Sequence, residues 1–173
     1  FGSTGSESGN SVAVDPSGNI YVCGNFSGTV SFGGSSLVSA GGSDIFLAKY
    51  SADGMHIWSQ RFGGTGNDAG LAVAVDPFGG IYMTGTFVSP ASLGGTNISG
   101  PGGLDIFVAR YNTNGTHLWS LGYGSGNSDY GRAIAVDASS NVIVTGSFDF
   151  TVNFGGGNLT SAGYSDVFLV KYN

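Results

Sequence analysis

The stretch SVAVDPSGNIYVCGNF, Ser11–Phe26, is written again as AVAVDPFGGIYMTGTF from Ala72 and as AIAVDASSNVIVTGSF from Ala133, a constant step of 61 residues. Other motifs keep that step. SDIFLAKY, LDIFVARY and SDVFLVKY begin at Ser43, Leu104 and Ser165, and HIWS at His56 returns as HLWS at His117. No insertion or deletion breaks the register, so the chain is one unit written three times, and each unit must bury its apolar surface against its copies. The units divide as residues 1–61, 62–122 and 123–173, and the third ends at KYN, before the position of its Trp segment.

Each unit reads as antiparallel strands. In the first they fall at Ser11–Asp15, Ile20–Phe26, Asp44–Tyr50 and the HIWSQ segment from His56, separated by Asp/Asn/Gly clusters that tolerate turn geometry. The FGG at Phe32–Gly34 and the Gly-rich stretch around Gly41 read as loop leading to the third strand. No segment carries a useful 3.6-residue apolar period, so the class is all-β. In DIFLAKY, Ile45 and Leu47 alternate with Phe46, Ala48 and Tyr50, and both faces are apolar. A strand of that kind sits in a sheet covered on both sides, as the blades of a β-propeller are.

These motifs, with G-x-A-V-D-x-x-G-N-x-Y-V-x-G-x-F followed by F-G-G, D-x-F-x-x-K-Y and G-x-x-x-W, resemble the bacterial β-propeller repeats called SBBP, and more weakly the NHL repeat. The likeness runs over essentially the whole chain. It implies secreted or cell-surface propellers of bacterial origin, with no agreed catalytic residues. The third copy departs from it, with Ala138 and Ser140 in place of the turn Pro and Gly and Ile143 in place of Tyr. Two full units and most of a third do not close a ring of four to eight blades. An excerpt of a longer propeller, a ring of two chains and an open filament all remain as expectations, with a threefold β-trefoil as the alternative fold.

Composition narrows the functional classes. Hydrophobic residues make up 40% and aromatics 13%, which suits a packed core, and the 33 glycines follow no three-residue period, which excludes collagen. Only 9% of residues are charged and the net charge is -6, so no nucleic-acid partner is expected. No segment is long and apolar enough to suggest membrane insertion. The chain starts without Met or a signal peptide and reads as a processed or excerpted segment. Its poverty in charge and wealth of Ser, Thr, Asn and Gly suit an extracellular or cell-surface location. Cys23 stands alone and reads as a buried thiol.

Four sets of residues are site candidates. RFGGTGNDAG, Arg61–Gly70, holds most of a calcium-turn pattern, but its counterparts at Phe1 and Tyr123 lose the double glycine, so it reads as a linking loop; Asp68 and backbone carbonyls are the donors it offers a Ca²⁺ ion. Asp15, Asp76 and Asp137 recur at one strand end, where each suits an Asx-type turn and where the three together could ring a channel mouth around a cation. His56 and His117 precede Trp58 and Trp119 by two residues, on the same strand face; a packing role is expected, and an exposed Trp would stack on sugar. Asn25, Asn97, Asn114 and Asn158 head N-x-[ST] sequons, with Asn25 set in a strand. The remaining acids also fall in columns, among them Asp44, Asp105 and Asp166 and the set Glu7, Asp68 and Asp129, which reads as fold device rather than asymmetric acid–base machinery.

No cofactor and no catalysis are therefore expected. The leading expectation is a non-catalytic scaffold for adhesion, envelope architecture or fibre assembly, whose partners are further blades or other copies of the chain. A glycan-binding lectin and the non-catalytic part of a larger secreted enzyme are the alternatives.

Overall fold

A computed structural model describes residues 1–173. Twelve strands and no helix make up the chain: β1 Glu7–Val14, β2 Ile20–Val30, β3 Leu37–Tyr50, β4 His56–Gly64, β5 Ala69–Val75, β6 Ile81–Phe87, β7 Ala91–Ser92, β8 Asp105–Tyr111, β9 His117–Tyr123, β10 Tyr130–Val136, β11 Val142–Asn153 and β12 Asn158–Tyr172. They form three antiparallel sheets, ordered β1-β2-β3-β4-β7, β5-β6-β8-β9 and β10-β11-β12. The sheets do not close into a barrel, which removes the trefoil alternative. The first sheet has five members rather than four because the short β7 pairs Ala91 with Gly64 and Ser92 with Gly63.

Strands run further than their sequence bounds. The Gly-rich stretch around Gly41, expected as loop, belongs to β3, and β2 continues to Val30. In the second repeat the same extension is missing, and β8 begins only at Asp105. Pro101 lies where β3 and β12 continue, and it has no N–H to give a ladder.

The turn after the first strand is built alike in each sheet. Asp15 Oδ1 accepts the N–H groups of Ser17 and Asn19, each at 2.9 Å, and Oδ2 accepts the Tyr21 hydroxyl at 3.1 Å. Asp76 does the same for Phe78, Gly80 and Tyr82. Asp137 takes Ser139 and Asn141. The turn's third residue after the acid has positive φ: Gly18 at 82°, Gly79 at 85° and, without a glycine's freedom, Ser140 at 63°.

Opposite each first-strand bulge sits one glycine of the G-x-F motif. A Cβ on Gly24, Gly85 or Gly146 would stand 1.8, 2.0 and 1.8 Å from the carbonyl oxygens of Ser8, Ala69 and Tyr130, and under 3 Å from the rings of Phe46, Phe107 and Phe168. The glycine therefore lets the third-strand Phe lie flat over the second strand.

The sheets pack face to face, as the two-sided apolar pattern of β3 requires. Ile45, Leu47, Tyr21 and Cys23 of the first sheet meet Met83, Phe107, Ala109 and Tyr111 of the second. Ile106, Val108 and Tyr82, on the second sheet's other face, meet Val142, Val144, Phe148 and Phe168 of the third. Each large side chain removed from water this way contributes about 2 kcal/mol. Phe46, Ala48 and Tyr50 form a separate cluster with Phe26 and Phe32 on the first sheet's outer face. Phe1 stacks on Tyr50 at 5.7 Å, as Phe62 meets Tyr111 at 5.0 Å and Tyr123 meets Tyr172 at 6.1 Å. The third sheet's outer face has no such cover: Val167 is 80% and Leu169 71% exposed. Cys23 is fully buried, and burial pushes its thiol up to about 12.

Candidate functional site

The first strands β1, β5 and β10 lie side by side, so their closing turns gather at one end. Asp15, Asp76 and Asp137 line one open cavity of about 440 Å³ there, with Pro16, Pro77 and Ala138 between them. The three carboxylates thus share a rim, but each is consumed by its own turn. Burial works against the charge of Asp15 and Asp76, and the hydrogen bonds of Asn19, Tyr21 and Ser17, or of Gly80, Ser140, Phe78 and Tyr82, outweigh it and hold both below the usual carboxylate range. Asp137 is depressed by the Lys171 ammonium, 2.8 Å away, and by Asn141. No three His, Cys, Asp or Glu side chains converge closely enough to share a metal ion.

The ion pairs formed by the acids and bases of DIFLAKY and its copies lie within sheets. Asp44 meets Arg61 on the neighbouring strand at 3.2 Å, and Arg110 reaches Asp76 at 3.9 Å. Lys49 instead donates to the Thr113 carbonyl of the second sheet's turn at 3.2 Å and lies over the Tyr21 ring.

Asp68 lies in the linker between β4 and β5 and is fully buried. Its two oxygens accept Gly64 N–H at 2.7 Å and Val88 N–H at 2.8 Å, which fastens the linker to the second sheet. Burial raises its pKa, the Asp44 charge adds to this, and those two hydrogen bonds and Arg61 oppose it. Asp129 repeats the clamp with Ser125 N–H at 2.6 Å and Asp149 N–H at 2.8 Å. Asp68 and Asp129 share this two-donor clamp, whereas Glu7, the third member of the column, accepts from Ser3 alone.

His56 and His117 share a second construction. Each imidazole Nε2 contacts the hydroxyl of the Ser three residues on, at 3.2 and 3.0 Å, and each ring meets its sheet's Tyr edge-on. The FGG backbone lies on the ring: a Cβ on Gly34 or Gly95 would stand 2.3 or 2.5 Å from the imidazole Cε1. Burial holds the pKa of His117 below the ordinary value. Trp58 and Trp119 are half-buried against the first and second seams, and Trp58 meets Tyr21 edge-on at 6.3 Å. A cavity of about 610 Å³ lies along β12 beside the loop of Phe154–Gly157. Sequence reasoning did not find this groove, because its walls come from three separate segments, including Leu121, Phe154 and Val170.

The sequon asparagines are spread over the surface. Asn97 and Asn114 are exposed in connections and Asn158 is exposed at the start of β12, whereas Asn25 lies in β2 and is engaged by Asn10 at 3.2 Å. No helix is long and apolar enough to cross a membrane.

Residues 1–25 and 57–86 match the family described as the SBBP beta-propeller repeat. The second matched segment runs from the Trp strand of the first sheet through the linker into β5 and β6, so it includes the Asp68 clamp and the Asp76 turn. The chain is also similar to an uncharacterized WD repeat-containing protein of Acanthamoeba polyphaga mimivirus, at 31% identity over 122 residues covering 60% of this chain. The chain spans 9% of the length of that relative. Both likenesses suit an all-β repeat scaffold, and the matched segments are similar to SBBP-type β-propeller repeats.

Proposed function

We propose that this chain is a non-catalytic scaffold of an extracellular or cell-surface protein, working in adhesion, envelope architecture or fibre assembly through head-to-tail stacking of its sheets. The supporting observation is the exposed face of the third sheet. Val167 and Leu169, 80% and 71% exposed, stand at the repeat positions that Ile45 and Leu47 fill in the first seam and Ile106 and Val108 in the second, all at most 1% exposed. That face is suited to the outer side of another first sheet, where Phe1, Val22, Phe32, Phe46 and Tyr50 line a cavity of about 190 Å³, and the edge of β12 offers a ladder beside it. The partner is a second copy or a further sheet of the same protein. Contact is heterologous, so it builds rings or filaments according to whether the rotation closes.

Light scattering after size exclusion, with electron microscopy of the same fractions, tests the stacking. The wild-type chain is expected to associate with rising concentration, and Leu169→Asp to remain monomeric with its melting temperature unchanged, since the side chain is outside the core. A monomeric wild type at high concentration, or association undiminished in Leu169→Asp, would sink the stacking role.

A further inference from the structure

The first and second seams are built on the same columns, yet one carboxylate in the second has lost both of its partners. Asp44 receives the Ala40 N–H on one oxygen and the Arg61 guanidinium on the other. In the third repeat Asp166 keeps the matching Ala162 N–H at 2.6 Å. For Asp105 the residue in the Ala40 column is Pro101, which has no N–H, and the residue in the Arg61 column is Gly122, which has no side chain. Asp105 is 0% exposed and neither of its oxygens receives a hydrogen bond.

A second buried carboxylate, Asp129, lies close enough for its charge to act on Asp105. The Asp129 N–H donates to the carbonyl of Leu104, the neighbour of Asp105, at 2.6 Å. The Asp105 carboxylate lies against the backbone of Gly100 and Gly124, and in the neighbouring loops the Ser125 and Gly126 carbonyls lie beside Gly102 and the Ser99 carbonyl beside Gly122. Burial, with the Asp129 charge adding to it and a poorly aligned Gly102 N–H opposing it, pushes Asp105 up to about 6. No cation of the chain is left to serve the pair. Of the five Lys and Arg residues, Arg61 pairs with Asp44, Arg110 with Asp76 and Lys171 with Asp137, Lys49 is held by Thr113, and Arg132 lies over the Tyr130 ring.

We propose that the second seam binds one calcium ion at Asp105 and Asp129, where the first seam uses the Arg61 guanidinium. Two carboxylates without a counter-charge match a divalent ion, and all-oxygen donors match a hard one. The oxygens of Asp129 each keep a second lone pair beyond the N–H bonds they accept. Calcium then joins the linker after β9 to the start of β8 and stiffens the contact between the second and third sheets.

The full chain, stripped with EGTA, is melted with and without calcium, and binding is read separately by calorimetric titration. A site with Kd of about 10⁻⁴ M raises the melting temperature by about 5–10 °C at about 10 mM calcium. Titration is expected to give one ion per chain. Asp105→Asn is expected to lose the heat and the shift, yet to melt above the wild type in EGTA, because a buried unpaired charge has been removed. Asp166→Asn keeps the calcium response. Gly122→Arg, which restores the first-seam arrangement, is a second variant should the asparagine variant not fold, and it too is expected to lose the response. No heat and no shift in the wild type would overturn the proposal. So would a response that survives in Asp105→Asn or Gly122→Arg, and so would stabilisation by lowered pH with none by calcium.

Discussion

Gly85→Ala is expected to be among the most damaging single-methyl changes in this chain. Gly85 stands opposite Gly70, beside the bulge at Leu71, with the Phe107 ring of the third strand over it. The added Cβ would lie 2.0 Å from the Ala69 carbonyl oxygen, 2.9 Å from Leu71 N and 2.9 Å from Phe107 Cε1. Two of the three obstacles are backbone of the paired strand, and the third is a ring with 0% exposure, so no flexible side-chain end can give way. Inserting one methyl into a packed core costs about 1–3 kcal/mol, and a backbone obstacle puts the cost at about 3 kcal/mol or above. For a chain of this size that corresponds to a fall of about 6–12 °C in melting temperature. Circular dichroism melts and urea denaturation measure it, and an unchanged m-value shows that the same surface is exposed on unfolding. Gly126→Ala is the control, because its Cβ would meet nothing within 4 Å. If Gly85→Ala melted with Gly126→Ala, the account of the G-x-F column as a seat for the aromatic ring would be wrong.

Two further outcomes follow from the turns. Ser140→Gly is expected to stabilise by about 1 kcal/mol, since Ser140 holds φ at 63° where Gly18 and Gly79 stand in the other copies; a loss of stability in denaturant titration would mean that the Ser140 contribution to holding the charge of Asp76 outweighs the backbone strain. Acid denaturation should draw on Asp15, Asp76 and Asp137, whose folded pKa values are held below the ordinary carboxylate range. A depressed carboxylate contributes stability that is present above its unfolded pKa and is lost as pH falls through its folded one. Asp76→Asn should therefore flatten the dependence of urea stability on pH below about 4, and an unaltered pH profile would count against the turn's electrostatic role.

The sequence made the layers legible because a strand has a period of two and this one is apolar on both sides. Ile45 and Leu47 do face one seam while Phe46, Ala48 and Tyr50 face the other way, and the equivalent residues of β8 are buried on both sides. The Asx turn of Asp15 was legible for a similar reason: its partners lie two and four residues away, within the reach of local reasoning. Strand length was not. VSAGG has the composition of a loop, and it is held in β3 by tertiary bonds, including the Gly42 N–H to the Gly66 carbonyl at 3.2 Å. Nor could sequence choose a partner for Asp44, because the candidate on its own strand, Lys49, points the other way and the actual partner, Arg61, belongs to a strand that folds back beside it.

The same limit explains how Asp105 escaped notice among the repeated acids. Repetition argues for a fold device only while the residues serving each copy repeat as well. The Ala40 column lies four residues before Asp44, but the Arg61 column lies 17 residues after it on another strand, and nothing local connects the two columns. Once the register of β3 on β4 brings Arg61 to the carboxylate that also receives the Ala40 N–H, Pro101 and Gly122 become one coordinated change rather than two unrelated ones. A buried charge stripped of its donors is costly in a low-dielectric seam unless another positive group replaces them. In a repeat chain, then, the conserved column marks the scaffold, and the column whose supporting residues are broken in a single copy marks the place to look for a ligand.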